Sequence, residues 1–285
     1  MTAAAVADRT RLVPLPSGRV FVADVGPADA ETTPVVLLHG LLVTHHAFRD
    51  VMGPLARDRR VLAIDLPGAG ESDRPRPADA DGYSIAWLCD RIDEVLGELS
   101  LSRVDLVGHS FGGTLALWLA ATRPQRVRRL VVVDPVAYEF DMPLVGRLAL
   151  LPRVGSILFE SLYRQADLRR YLRGTVSTPE LLDPRAVDVY WDRLGRRGGR
   201  EAAHAMLGDL RALAPLHERL GEIAAPTLVV WGDQDKLLPL ADGEQLTRTL
   251  ADATLRVVEG CGHAVPEEQP EVLVRLVREF LDGPA

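Results

Sequence analysis

The chain has 285 residues, of which 47% are apolar, and its 33 basic and 40 acidic residues leave a formal net charge of −7. That length and apolar content suit one large α/β domain with an insertion and argue against global disorder. The acidic balance argues against a nucleic-acid partner, which would favour a basic stripe. A single lysine, Lys236, leaves Schiff-base chemistry one candidate only.

The first residues carry Asp8 and Arg9 where a signal peptide needs an apolar run, and no apolar stretch is long enough to span a membrane. A soluble cytoplasmic protein, monomer or homodimer, is the expectation. Residues 11–15 and 19–25 read as a strand pair around Pro16-Ser17-Gly18. Short continuous apolar runs follow at 34–38, 60–64, 104–107, 130–133 and 227–231. Such runs suit strands buried on both faces, as in a parallel sheet. Helical patterns lie between and after them, near 45–56, 84–99, 111–122, 240–250 and 270–282. The alternation implies right-handed βαβ units and a doubly wound, mostly parallel sheet.

The alternation stops between 137 and 215. This stretch is helical in pattern, with twelve arginines against ten acidic residues. It reads as a helical cap inserted over the carboxyl edge of the sheet, with 1–136 and 216–285 as the core domain. Ordinary crossover helices are the alternative. Residues 195–200, Gly-Arg-Arg-Gly-Gly-Arg, read as a loop within it. No internal repeat stands out.

The sharpest chemical signal is Gly108-His109-Ser110-Phe111-Gly112, followed by Gly113. It fits G-x-S-x-G, a pattern that is weak alone and gains weight from its context. A strand pattern precedes it and a helical one, 111–122, follows. A strand–turn–helix of this kind is a nucleophile elbow. The turn strains the serine backbone, and glycines two positions either side let strand and helix approach. Ser110 Oγ would stand above the sheet, and the helix N-terminus favours developing negative charge there.

At this point the chain resembles the α/β-hydrolase superfamily, nearly end to end. His39-Gly40 is similar to that family's oxyanion loop, and Asp65 to Asp73 matches its D-x-x-G-x-G-x-S segment. Trp231 to Pro239 matches its G-x-x-D-x-x-x-P acid loop, and Gly262-His263, extended by residues 266–270, its catalytic histidine. The order Ser…Asp…His is the one this fold uses. The resemblance implies a triad of Ser110, His263 and Asp235, with oxyanion N–H donors at Leu41 and Phe111. In those roles His263 would take the serine proton and return it to the leaving group. Asp235 would fix the imidazole tautomer, and the two amides would stabilise the oxyanion. Asp233 and Asp134 compete for the acid role, since some family members place the acid after the earlier strand.

His39 reads as a shaper of the oxyanion loop and His109 as structural. His45 and His46 suggest metal, but no H-E-x-x-H or spaced Cys/His set accompanies them. A helix start capped by Thr44 is the plainer reading, with His46 a possible wall of the pocket. Cys89 and Cys261 do not make a disulfide framework. Other substrate-binding candidates are Phe159, Tyr163 and Trp191, with Leu162 and Tyr190 beside them, all in the insert. Neither metal nor cofactor is implied.

The expected function is hydrolysis of an ester-like bond in a small, apolar substrate through an acyl-enzyme. Serine at the elbow argues against the dehalogenase and epoxide-hydrolase branches, which use aspartate. C–C bond hydrolysis stays open, although that branch's glycine-rich oxyanion loop is not evident in Leu41-Leu42-Val43-Thr44. A perhydrolase, lyase or acyltransferase on the same triad, or a slow-turnover ligand-binding protein, are the alternatives.

Overall fold

Alternate residues of the central strands face opposite ways, and both ways are apolar. Val36, Leu38, Leu106, Val132, Val229 and Trp231 face one side, while Val35, Leu37, Val107, Val131, Val133 and Val230 face the other. Each side therefore needs a helical layer. The computed structural model describes residues 9–283 apart from 140–147, 149, 152–154, 156 and 212. Among them the strands are β1 (Arg11–Leu15), β2 (Gly18–Val25), β3 (Val35–Leu38), β4 (Val61–Ile64), β5 (Val104–His109), β6 (Val127–Val133), β7 (Thr227–Gly232) and β8 (Ala253–Val258). They form one sheet in the order β1-β2-β4-β3-β5-β6-β7-β8. The pairings of β1 with β2 and of β2 with β4 are antiparallel; the other neighbours are parallel.

The longer helices before residue 137 are α1 (Arg49–Leu55), α2 (Ile85–Glu98) and α3 (Phe111–Thr122). Between 137 and 215 come α4 (Gln165–Thr175), α5 (Pro184–Gly195) and α6 (Gly199–Asp209). Beyond 215 come α7 (Leu240–Thr249) and α8 (Pro270–Asp282). α2 and α3 cover one face of the sheet through Leu88, Ile92, Leu115 and Leu119. α1 and α8 cover the other through Val51, Leu55, Leu273 and Val277. α3 is apolar nearly all round, with ten of its twelve residues buried. Each such leucine or valine, fully buried, contributes about 1.5–3 kcal/mol.

β8 has no counterpart among the expected strands. It lies at the sheet edge, where Thr254, Arg256 and Val257 are exposed, so it lacks the continuous apolar run that marks the inner strands. Between 137 and 215 no strand occurs among the described residues, and the expected loop at 195–200 narrows to 196–198, where Gly198 has φ +83°. Part of the expected cap, 140–147 with 149, 152–154 and 156, lies outside the described residues, as do residues 1–8. Leu168 and Leu172 of α4 and Val187 and Tyr190 of α5 pack against Val43 and Ala47, just beyond the His39-Gly40 loop. No helix among the described residues is long and apolar enough to cross a membrane.

Candidate active site

β5 ends at His109, and Ser110 turns the chain into α3 with φ 53° and ψ −120°. This left-handed region costs a non-glycine residue roughly 1–3 kcal/mol, so the surroundings must hold it. They do: Ser110 N donates to Val133 O at 2.9 Å, and Ser110 O accepts from Gly113 N at 2.8 Å and Thr114 N at 3.1 Å. The elbow closes so tightly that a Cβ on Gly108 would lie 2.3 Å from Gly112 O, and one on Gly112 2.2 Å from Leu38 O. Glycine at both positions is a packing requirement.

The turn after β7 carries Asp235. Its Oδ1 accepts from Leu237 N at 2.7 Å and Leu238 N at 3.0 Å, and its Oδ2 meets His263 Nδ1 at 2.7 Å. A carboxylate on Nδ1 assigns the ring proton to that nitrogen and leaves Nε2 as the basic one. Nε2 is buried and has no hydrogen-bond partner among the described residues. The neighbour of Ser110 reaches the same ring's backbone: His109 Nε2–H donates to His263 O at 2.8 Å, with ring centroids 5.1 Å apart. Burial, with the His263 ring beside it, pushes His109 down to about 3, so it is neutral and acts as a prop.

Asp134, at the end of β6, is the other carboxyl nearby. It is fully buried at φ 43°, accepts one bond from Gly232 N at 2.9 Å, and its Oδ2 has no partner among the described residues. Burial and the neighbouring Asp235 hold it well above the usual carboxylate range. Asp233 instead accepts from Cys261 N at 3.3 Å within the loop. Of the three acids, Asp235 is the one bonded to His263. One ligand atom each of His109, Asp134 and His263 lies within 4.8 Å of the others, so these are the described residues that could hold a metal ion. An ion there would take up the ring that Asp235 holds.

The His39-Gly40 loop lies against the elbow: a Cβ on Gly40 would be 3.1 Å from Ser110 Cβ. His39 Nδ1–H donates to Gly40 O at 2.8 Å and Nε2 accepts from Leu66 N at 3.1 Å, which makes the ring neutral and the loop rigid. Burial lowers its pKa, against the pull of Asp65. Leu41 follows, and Leu42 is at φ 66°. Phe111 opens α3, in the first turn, where helix N–H groups have no carbonyl partner of their own. Asp65 organises the loop beyond, accepting from His45 N at 2.8 Å, His45 Nδ1 at 3.0 Å and Glu71 N at 2.8 Å. Thr44 caps the short helix at 45–48 by accepting from His46 N at 3.2 Å. Cys89 and Cys261 are free and buried.

A cavity opens on this loop, with about 390 Å³ of empty space, part of it open to solvent. Its walls include Gly40, Leu41 and Leu42 on one side and Tyr190, Leu194 and Met206 on the other. Ser110 is 7% exposed and is not itself a wall of the cavity, nor are Phe111, Asp235 and His263; it packs behind the wall residue Gly40. Among the described residues the one charged wall group is Arg193, which pairs with Glu71 at 2.5 Å. His46, Phe159, Tyr163 and Trp191 are not in the walls. His46 stands edge-on to Tyr190, with ring centroids 6.1 Å apart. Phe159 stacks on Tyr163 at 4.8 Å, and both pack with Trp191, Leu194 and Ala203. Gly199, Ala203 and Met206 line the cavity without having been singled out; their i, i+4, i+7 spacing on α6 is the signal that marks one helix face.

Residues 33–270 match the family described as alpha/beta hydrolase fold. The chain is 33% identical over 271 residues to a 2-hydroxy-6-oxo-2,4-heptadienoate hydrolase of Pseudomonas putida, covering 90% of this chain and 91% of that one. It is 32% identical over 256 residues to a 2-hydroxymuconate semialdehyde hydrolase of a Pseudomonas species, covering 87% and 86%. Among solved structures it is similar to a meta-cleavage product hydrolase from Pseudomonas fluorescens, with a TM-score of 0.80, 25% identity and coverage of 95% and 97%.

Proposed function

Because the chain belongs to the α/β-hydrolase-fold family, we propose that it is a serine hydrolase acting through an acyl-enzyme on Ser110. The observation that carries this reading is the 2.7 Å His263–Asp235 bond, which leaves a basic Nε2 in a site shared with a strained serine turn. Nε2 takes the Ser110 proton as Oγ attacks the carbonyl carbon. The N–H groups of Leu41 and Phe111 hold the resulting oxyanion. The tetrahedral intermediate collapses, and the imidazolium returns the proton to the leaving oxygen. Water repeats the sequence on the acyl-enzyme and releases the acid. Asp235 holds the tautomer and stabilises the imidazolium.

The substrate class we propose is a small, neutral, apolar ester, bound under a cap formed by 137–215 on a core of 1–136 and 216–285. The apolar walls support it, and so does the pairing of Arg193 with Glu71, which leaves no unspent wall cation among the described residues. A second reading, C–C bond hydrolysis, is favoured by the relatives, whose names specify dienoate and semialdehyde substrates. A dienoate brings a carboxylate that would want a free cation. Product analysis on matched ester and dienoate substrates, with Ser110→Ala as control, decides between them. Faster turnover of the dienoate would reject the ester reading and keep the serine.

A further inference from the structure

The chain neighbours of His263 and of Asp235 are tied, directly or through Glu268, to Thr175 and Ser177 at the end of α4. Gly262 N donates to Glu268 Oε1 at 2.9 Å. The other oxygen of Glu268 accepts from Ser177 N at 2.8 Å and from Ser177 Oγ at 2.6 Å. Ala264 N, on the other side of His263, donates to Thr175 O at 3.1 Å. Lys236, next to Asp235, donates to Ser177 O at 3.1 Å. The approach is close as well as bonded: a Cβ on Gly262 would be 2.6 Å from Ser177 N and 2.7 Å from Thr175 O.

We propose that Glu268 is a positioning residue that straps the His263 loop to Thr175–Ser177, so that the seating of α4 sets the place of the base. The inference rests on the proposed triad. A carboxylate can accept on both oxygens at once, so Glu268 bridges two backbones that otherwise meet edge to edge. α4 is itself seated through Leu168 and Leu172 on Val43 and Ala47, just beyond the oxyanion loop. One helix of the insert thus touches the elements carrying the base, the acid and the oxyanion donors. Glu268 is not a cavity wall, so its loss should misplace the base and leave substrate binding alone.

The test compares steady-state kinetics of Glu268→Ala, Glu268→Gln and Ser110→Ala on one p-nitrophenyl ester, per mole of folded protein. Misplacing a reacting group by about 1 Å can cost on the order of 100-fold in rate. Glu268→Ala should therefore lose about tenfold or more in kcat with KM within about twofold of wild type. Glu268→Gln keeps the oxygen facing Gly262 N and loses an acceptor toward Ser177, so it should recover part of that loss. It is also the variant to use if Glu268→Ala does not fold. If Ser110→Ala is inactive while the Glu268 variants keep kcat within twofold, the strap is wrong and the triad stands. If Ser110→Ala stays active, both fall.

Discussion

Asp235 Oδ2 accepts the His263 Nδ1 proton at 2.7 Å, while Asp134, just after the preceding parallel strand, accepts only from Gly232 N among the described residues. Asp235 has three N–H donors from the protein and the imidazole together, whereas burial and the neighbouring Asp235 push Asp134 well above the usual carboxylate range. The two carboxyls therefore differ in partner and in surroundings. Asp235→Asn should lose on the order of 10⁴-fold in kcat, because the amide offers an N–H to the ring and favours the wrong tautomer. Asp134→Asn keeps an oxygen for Gly232 N and should stay within about tenfold of wild type. A worse lesion at Asp134 would move the acid to the end of β6.

Gly112→Ala should damage the elbow although it adds one carbon. That carbon would sit 2.2 Å from Leu38 O, which is backbone and cannot step aside. We expect a loss of at least 1–3 kcal/mol in unfolding free energy, roughly the range for overpacking, and a fall in kcat beyond that of a surface alanine. Gly97→Ala on α2, where nothing lies within 4 Å, is the matched control and should be neutral or slightly stabilising. Equal behaviour of the two variants would reject the close-approach account.

Acid should destabilise the protein partly through His109. Its folded value of about 3 lies below the ordinary 6.5, so the unfolded chain binds a proton that the folded one refuses. That contribution is complete above about pH 6.5 and is lost as pH falls toward 3, by about 1.4 kcal/mol per unit. Asp134, held high, acts with the opposite sign, favouring the fold at low pH, and is common to both proteins compared. His109→Asn removes the titrating ring. Between pH 6.5 and 5 wild type should therefore lose about 2 kcal/mol more than the variant, as read by urea unfolding. Parallel curves would mean that His109 is not buried neutral.

Much of the fold was legible because a parallel sheet covered on both faces demands unbroken apolar runs, and 104–107 and 227–231 supply them. β8 was not, because at an edge Thr254 and Arg256 can face water. The proposed triad of Ser110, His263 and Asp235 rests on motif order, since spacing alone does not choose among Asp134, Asp233 and Asp235. Of these three acids, Asp235 is the one bonded to His263. The cavity walls were the least legible. Large aromatics such as Phe159, Tyr163 and Trp191 looked like walls but pack among themselves, whereas small residues such as Gly199 and Ala203 leave the space.

The apolar character of those walls sets an expectation for the acyl series. Each methylene that enters an apolar cavity is worth about 0.8 kcal/mol, or roughly fourfold in kcat/KM. Across p-nitrophenyl esters from acetate to decanoate, kcat/KM should rise to about six or eight acyl carbons and then fall. A flat series, or one led by acetate, would reject an apolar acyl site along Leu41, Leu194 and Met206.

The most direct test is covalent labelling of the native protein by a fluorophosphonate, read by intact mass and peptide mapping. The probe imitates an acyl donor and reacts only where a serine is activated beside an oxyanion hole. The account predicts one adduct per chain, on Ser110, absent from denatured protein and from Ser110→Ala. Native protein that takes up no label, or takes it on another residue, would contradict the account.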